Sequence, residues 1–200
     1  AYATTWAVDC ETWLITPARL VPPMVCLTHA GLLHHNSLLH AKFDRENMRS
    51  LVYWALSNDV LIVGANTAFN LAEIALAFPE LLPLIFAAYE QDRVVDVQLG
   101  QQLVDIATNV FRGRYDQNGT WIEHDYNLAA LVKRHFGRER DKTTFRLDYG
   151  ALHDTPVGQW TDGQKLYAID DATDALQLWT QVLDTQQNQL FLYDIFRQGR

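Results

Sequence analysis

The run "VLIV" at 60–63, closed by Gly64 and followed at once by the helix-patterned "TAFNLAEIALAF", limits the folds open to this chain more than any other stretch. A continuous apolar run of this length has no polar face, so it must be buried on both sides, as in the interior of a parallel sheet. The flanking segments supply what such a sheet needs. "TTWAVDCETWL" reads as a strand, and "MVCLTHAGLLHHNSLLHAKF", after the Pro22-Pro23 break, as one or two more. "DRENMRSLVYWALSN" spaces Met48, Leu51, Val52, Ala55 and Leu56 as one helical face, with Asp44 suited to cap its start. The helix after Gly64 is interrupted by Pro79 and Pro83, and "RVVDVQLGQQLVDIA" turns from strand to helix near Asp96, which is expected to be a cap. "GRYDQNGTW" is turn-rich, "YNLAALVKRHFG" is an amphipathic helix stopped by Gly137, and a long helical pattern starts at Thr161 or Asp162. Alternating strands and helices without internal repeats predict one α/β domain over 1–200, with a mixed β-sheet flanked by helices.

Composition narrows the function. An apolar content of 48% and a charged content of 20% over 200 residues describe a soluble globular chain with a core of its own. The apolar runs are too short or too interrupted to cross a bilayer, and no leader pattern opens the chain, so no membrane partner is expected. Cys10 and Cys26 make neither a disulfide framework nor a zinc site, which points to a reducing, intracellular setting. The missing Met at the start and the amphipathic run "LFLYDIFRQGR" at the end read as a piece of something longer. A net charge of −8 argues against coating duplex DNA by electrostatics alone. Residues 112–146 nevertheless carry eight Lys/Arg against five Asp/Glu, which reads either as a solvated face or as a patch steering a phosphate backbone. The six tryptophans are scattered and expected in the core, and His34 and His35 at a strand edge or turn. None of the seven histidines has a transition-metal spacing, and there is no Gly-x-x-x-x-Gly-Lys loop.

The chemistry sits in three short stretches. In "WAVDCET", Asp9 and Glu11 fall at i and i+2 of a strand and share a face, while Cys10 points to the other. Two adjacent carboxylates repel unless a cation lies between them, so the pair is either a magnesium or manganese site or a solvated edge. In "LYAIDDATDAL", Tyr167 and Asp171 share one helix face, and Asp170 and Asp174 form a second pair around the axis. A phenol beside a metal-binding carboxylate can orient a water; the alternative is a half-buried core tyrosine beside solvated acids.

Together these stretches resemble the DnaQ-like 3′→5′ exonucleases of the DEDD type, in the tyrosine-bearing (DEDDy) variant. Asp-x-Glu-Thr matches Asp9, Glu11 and Thr12; Gly-x-Asn-x-x-aromatic-Asp matches Gly64, Asn66 and Phe69 but ends in Asn70; Tyr-x-x-x-Asp matches Tyr167 and Asp171. The resemblance spans roughly 4–185 and is most specific to the proofreading domain of bacterial or phage family A DNA polymerases, through "LYAIDDATDALQLW", "DYGALHDTPVGQW" and "RVVDVQLGQQLVD". It implies an RNase H-like fold and phosphodiester hydrolysis with two divalent cations, Mg2+ or Mn2+. Asp9, Glu11 and Asp171 would hold one ion, with Tyr167 orienting the attacking water. Asp9 would bridge to the second ion, which the family's second-motif Asp also holds. The implied partner is a single-stranded DNA 3′ end, with a linked polymerase, in the cytoplasm of a bacterium or phage-infected host. Thr12, Asn66 and Phe69 would lie along the strand end, with Asn66 on the terminal nucleotide. Leu14 or Ile15 would wedge against the last base, Ile15 reading equally as core, and Lys142 and Arg146 would approach the incoming backbone.

Two positions depart from the pattern. Asn70 carries no charge for the second ion, so a weak or inactive nuclease is expected, whether from a deliberate Asp→Asn change or a natural loss. Ala65, where His or Gln is frequent, removes a nucleotide contact. The rival readings are an RNA-trimming exonuclease resembling RNase D, and a catalytically silent domain that binds nucleic acid or supports a neighbour.

Overall fold

Strand β1 (Thr4–Thr12) is the spine of the molecule, and its alternation sets the two faces. Trp6, Val8 and Cys10 enter one apolar cluster, whereas Ala7 enters the other. The computed structural model describes residues 4–31, 36–140 and 149–185. Strand β2 (Met24–Ala30) runs antiparallel to β1 and pairs in turn with β3 (Ser37–His40). On its other edge β1 pairs in parallel with β4 (Val60–Gly64), and β4 with β5 (Val94–Asp96). The order β3-β2-β1-β4-β5 makes a mixed five-stranded sheet. All five residues of β4 are buried, as its unbroken apolar run requires.

One face is covered by α1 (Arg45–Ser57), α2 (Thr67–Ala77) and α3 (Leu82–Glu90), which bring Met48, Val52, Leu56, Leu71, Ile74 and Ile85 onto Trp6, Val8 and Ile62. The other is covered by α4 (Val97–Ala107), α5 (Leu128–Phe136) and α6 (Asp162–Leu178), which bring Val104, Leu131, Ala172 and Leu178 onto Ala7, Leu61 and Val63. The α/β class with a mixed sheet flanked by helices is therefore the architecture found, as the RNase H-like resemblance implies. Among the described residues no helix is long and apolar enough to cross a membrane.

The caps explain most of the boundaries. Gly137 ends α5 in the left-handed conformation (φ 68°), which a residue without Cβ adopts at no steric cost. Thr161 rather than Asp162 caps α6, in a reciprocal capping box with Gln164. Asp96 is a cap twice over. Its Oδ1 accepts from Gln98 N and Leu99 N at the start of α4, and its Oδ2 accepts from Thr67 N at the start of α2. Asp44 precedes α1 but does not cap it; its carboxylate turns back to accept from His40 N at 2.9 Å.

The turn-rich segment after α4 is in fact a small hairpin, β6 (Gly113–Tyr115) paired with β7 (Trp121–Glu123). A buried ion pair ties this region down. Asp105 on α4 accepts from Arg134 through both of its oxygens, at 2.6 and 2.8 Å, and from Tyr126 Oη at 2.7 Å and Gln101 Nε2 at 2.8 Å. Burial alone would raise its pKa, but the hydrogen bonds from Arg134, Tyr126 and Gln101 outweigh that and hold the carboxyl below its ordinary value. Replacing Asp105 by Ala leaves Arg134 without its partner, and the expected loss is about 3–5 kcal/mol, measured by chemical denaturation at neutral pH. A lowered carboxylate pKa stabilises the fold above the unfolded-state value. In the parent chain this contribution fades as pH falls through the acid range, and the Ala variant has none to lose.

Glu73 on α2 is the opposite case. It is 0% exposed, neither carboxylate oxygen has a hydrogen-bond partner, and burial raises its pKa to about 7. A raised carboxyl pKa means that stability is full below the unfolded-state value of 4.5 and is lost as pH rises toward 7, by up to about 3 kcal/mol. Glu73→Gln should therefore raise Tm at pH 8 and leave it nearly unchanged at pH 4.5, in parallel thermal melts.

Candidate metal centre

Three acids from opposite ends of the chain meet at one end of the sheet. Asp9 and Glu11 on β1 and Asp171 on α6 each bring one carboxylate oxygen within 4.8 Å of the other two, in partly buried positions. Two local features aim the strand acids. Their i, i+2 spacing puts both on the α6 face. A register irregularity then follows between Glu11 and Thr12: Glu11 pairs with Cys26 but Thr12 with Met24, which leaves Val25 of β2 as the extra residue. Such bulges re-aim a side chain and end pairing, and they are common beside active sites.

Helix α6 comes close enough because its sheet-facing residues are small: Ala168, Ala172 and Ala175 are all buried. Between them lies a direct tie, the Thr28 hydroxyl of β2 donating to Ala168 O at 3.0 Å. That carbonyl sits between Tyr167 and Asp171 in sequence, so the bond fixes the height of the helix segment carrying both. Behind Tyr167 lies Tyr149, which is buried, donates through Oη to Gln164 O at 2.6 Å, and stands 5.9 Å from Tyr167 between ring centroids. Burial, then the negative charge of Glu11, pushes the Tyr149 hydroxyl well above its ordinary value, so it stays neutral and can only orient. The sequence reading did not single out Tyr149. The thiols of Cys10 and Cys26 are likewise held protonated, chiefly by burial and then by the neighbouring acids.

Asn70 enters from α2. It is buried, and its amide nitrogen lies 3.3 Å from Asp9 Oδ1 and 3.2 Å from Val8 O. Gly64 leaves room for the tight start of α2: a Cβ there would stand 2.9 Å from Thr67 Oγ1 and 3.1 Å from Val8 O. Asn66 precedes the helix in the left-handed conformation (φ 57°) and is exposed, while Phe69 in the first turn is partly buried. Thr12 Oγ1 donates to Trp13 O at 2.8 Å. Beyond it Leu14 and Ile15 are 56% and 58% exposed, which removes the core reading of Ile15.

The second acid pair of α6 does other work. Asp174 is 0% exposed and takes Arg138 and Arg140, and Asp170 takes Arg140 as well. Lys133 pairs with Glu139 and Arg134 with Asp105. Four of the eight cations of the basic segment are thus paired with acids of the same chain, Lys133 and Glu139 in an exposed pair and the three arginines with buried or half-buried carboxylates. Lys142 and Arg146 lie outside the described residues, as do His34 and His35. The tryptophans divide evenly: Trp6, Trp160 and Trp179 are core, but Trp13, Trp54 and Trp121 are exposed. Trp13 lies just past the end of β1, with its backbone N–H donating to Pro23 O, and its indole lies over Gly150, where a Cβ would stand 3.2 Å from the ring.

No protein-family model and no curated protein matches the chain. Among solved structures, the EXD2 exonuclease domain soaked in manganese and magnesium superposes with a TM-score of 0.35 at 16% identity, over 96% of this chain and 82% of that one. A superposition this loose adds nothing to the geometry above.

The two acid pairs of α6 separate experimentally. Asp171→Asn should abolish high-affinity Mn2+ binding with little change in Tm. Asp174→Ala should lower Tm by removing the buried carboxylate that Arg138 and Arg140 share, yet still bind Mn2+; electron paramagnetic resonance of free Mn2+ alongside thermal melts reads both.

Proposed function

We propose that the chain is a metal-dependent 3′→5′ exonuclease domain that trims single-stranded or frayed DNA ends and is attenuated by Asn70. The observation that carries this reading is the meeting of Asp9, Glu11 and Asp171 within 4.8 Å. Three carboxylates so close repel one another, and a hard divalent cation with oxygen ligands is the natural counter-charge. Such an ion, Mg2+ or Mn2+, would supply charge stabilisation at the scissile phosphate and a nucleophilic water at neutral pH.

The chain's own residues have distinct parts. Asp9, Glu11 and Asp171 bind the ion. Tyr167, backed by the neutral Tyr149, orients the attacking water through its hydroxyl. Asn66 meets the terminal nucleotide at the start of α2. Leu14 and Ile15, exposed just beyond the bulge, offer apolar contact to an unstacked base, which suits a frayed end better than a paired duplex. Thr12 and Phe69 line the approach, and Lys142 and Arg146 meet the strand's backbone. The similarity to polymerase proofreading domains favours a linked polymerase as partner. Loss of the acid at 70 costs at least the 10–100-fold typical of weakened metal-site support.

The test compares the chain with its Asn70→Asp version on a 5′-labelled single-stranded DNA, in magnesium, in manganese and with chelator. A shortening ladder at least about 10-fold faster from the Asp version, and abolished by chelator, is the expected result. Faster trimming of an RNA of the same sequence would reassign the substrate. No ladder from either version would leave a silent binding or supporting domain.

A further inference from the structure

Asn70 is more than a missing ligand. It is 2% exposed, and one atom of its amide meets three oxygens: Val8 O at 3.2 Å, Asp9 Oδ1 at 3.3 Å and Ala65 O at 3.5 Å. Backbone carbonyls only accept hydrogen bonds, so the atom facing them is the nitrogen. A single donor group gathering two carbonyls and a carboxylate resembles the oxygen cluster otherwise found around a bound cation. The backbone at 70 is engaged as well, since its carbonyl accepts from Cys10 Sγ at 3.8 Å.

We infer that the Asn70 amide stands in for a second cation, so that the site takes one divalent ion, held by Asp9, Glu11 and Asp171, with Asn70 positioning Asp9 through its Oδ1. This rests on the metal-dependent reading above and adds its stoichiometry. The amide offers two N–H donors, shared among Asp9 Oδ1 and the two carbonyls, in place of an ion. A carboxylate at 70 offers none. It would add more oxygens to the three already there, in a place sealed from water, and as a carboxylate it would destabilise the fold at neutral pH unless a cation lay among them. Asn70 is therefore a positioning residue that makes the fold around Asp9 independent of a second ion.

The test titrates Mn2+ into the chain and into its Asn70→Asp and Asn70→Ala variants, reading free Mn2+ by electron paramagnetic resonance and folding by circular dichroism and Tm in chelator. The parent chain is expected to bind one Mn2+. Asn70→Asp is expected to bind two, with a Tm that falls in chelator and recovers with Mn2+. Asn70→Ala is expected to stay folded and to bind one ion about 10-fold or more weakly, because Asp9 has lost its tie. Two ions on the parent chain overturn the inference and leave the exonuclease reading standing. So does an Asn70→Asp chain that keeps its metal-free Tm and binds only one. No Mn2+ on either the parent or Asn70→Asp overturns the exonuclease reading, and the inference with it.

Discussion

The close approach of α6 to the sheet is the constraint on which the rest of the site depends. Asp171 is more than 150 residues from Asp9 and Glu11 in sequence, and it reaches them only because a line of alanines lets the helix backbone settle against β1 and β2. The Thr28 hydroxyl then fixes how far along the sheet the helix slides. Without that bond the alanine surface is smooth, and packing alone would specify the height of Asp171 poorly. The tie satisfies a carbonyl without breaking the helix, so it adds position at little cost to stability.

A second layer of polar contacts keeps neighbouring charge away from the site. Asp170 and Asp174 lie within one turn of the candidate ligand and would compete for a cation if they were free. Arg138 and Arg140 take both carboxylates instead. The same economy governs Asp105, whose four hydrogen bonds come from Gln101 on α4, Arg134 on α5 and Tyr126 after β7. Much of the segment's positive charge is thus spent on internal architecture.

The sequence carried the ordered elements well where a single rule dominated. The apolar run of β4, the i, i+2 acids of β1, the Tyr-x-x-x-Asp spacing of α6 and the Gly137 stop each follow from one local periodicity or one backbone preference. It failed where two rules competed. In "GRYDQNGTW" the turn residues mask two strands of only three residues each, whose aromatic contacts hold them together across the turn. Glu73 sits within an apolar helical pattern, and nothing in its neighbours marks the side it faces as sealed. Tyr149, Thr28 and the ties from Asp105 to Tyr126 and Arg134 are invisible for a different reason: their partners lie 15 to 140 residues away, beyond any local pattern. Asn70 was legible as a departure, but its three oxygen partners required the fold.

Asp96 shows how such a structure can mislead a genetic survey. One carboxylate closes the starts of two helices, α2 with its Asn66 and Asn70, and α4 with its Asp105. An alanine scan that ranked it beside Asp9 and Asp171 would be reporting two helix starts, and an observer counting indispensable acids would take a cap for a candidate ligand. Its importance is that of a hinge pin shared by two doors. Essentiality and chemistry part company at such a residue, and only the helix ends it closes tell them apart.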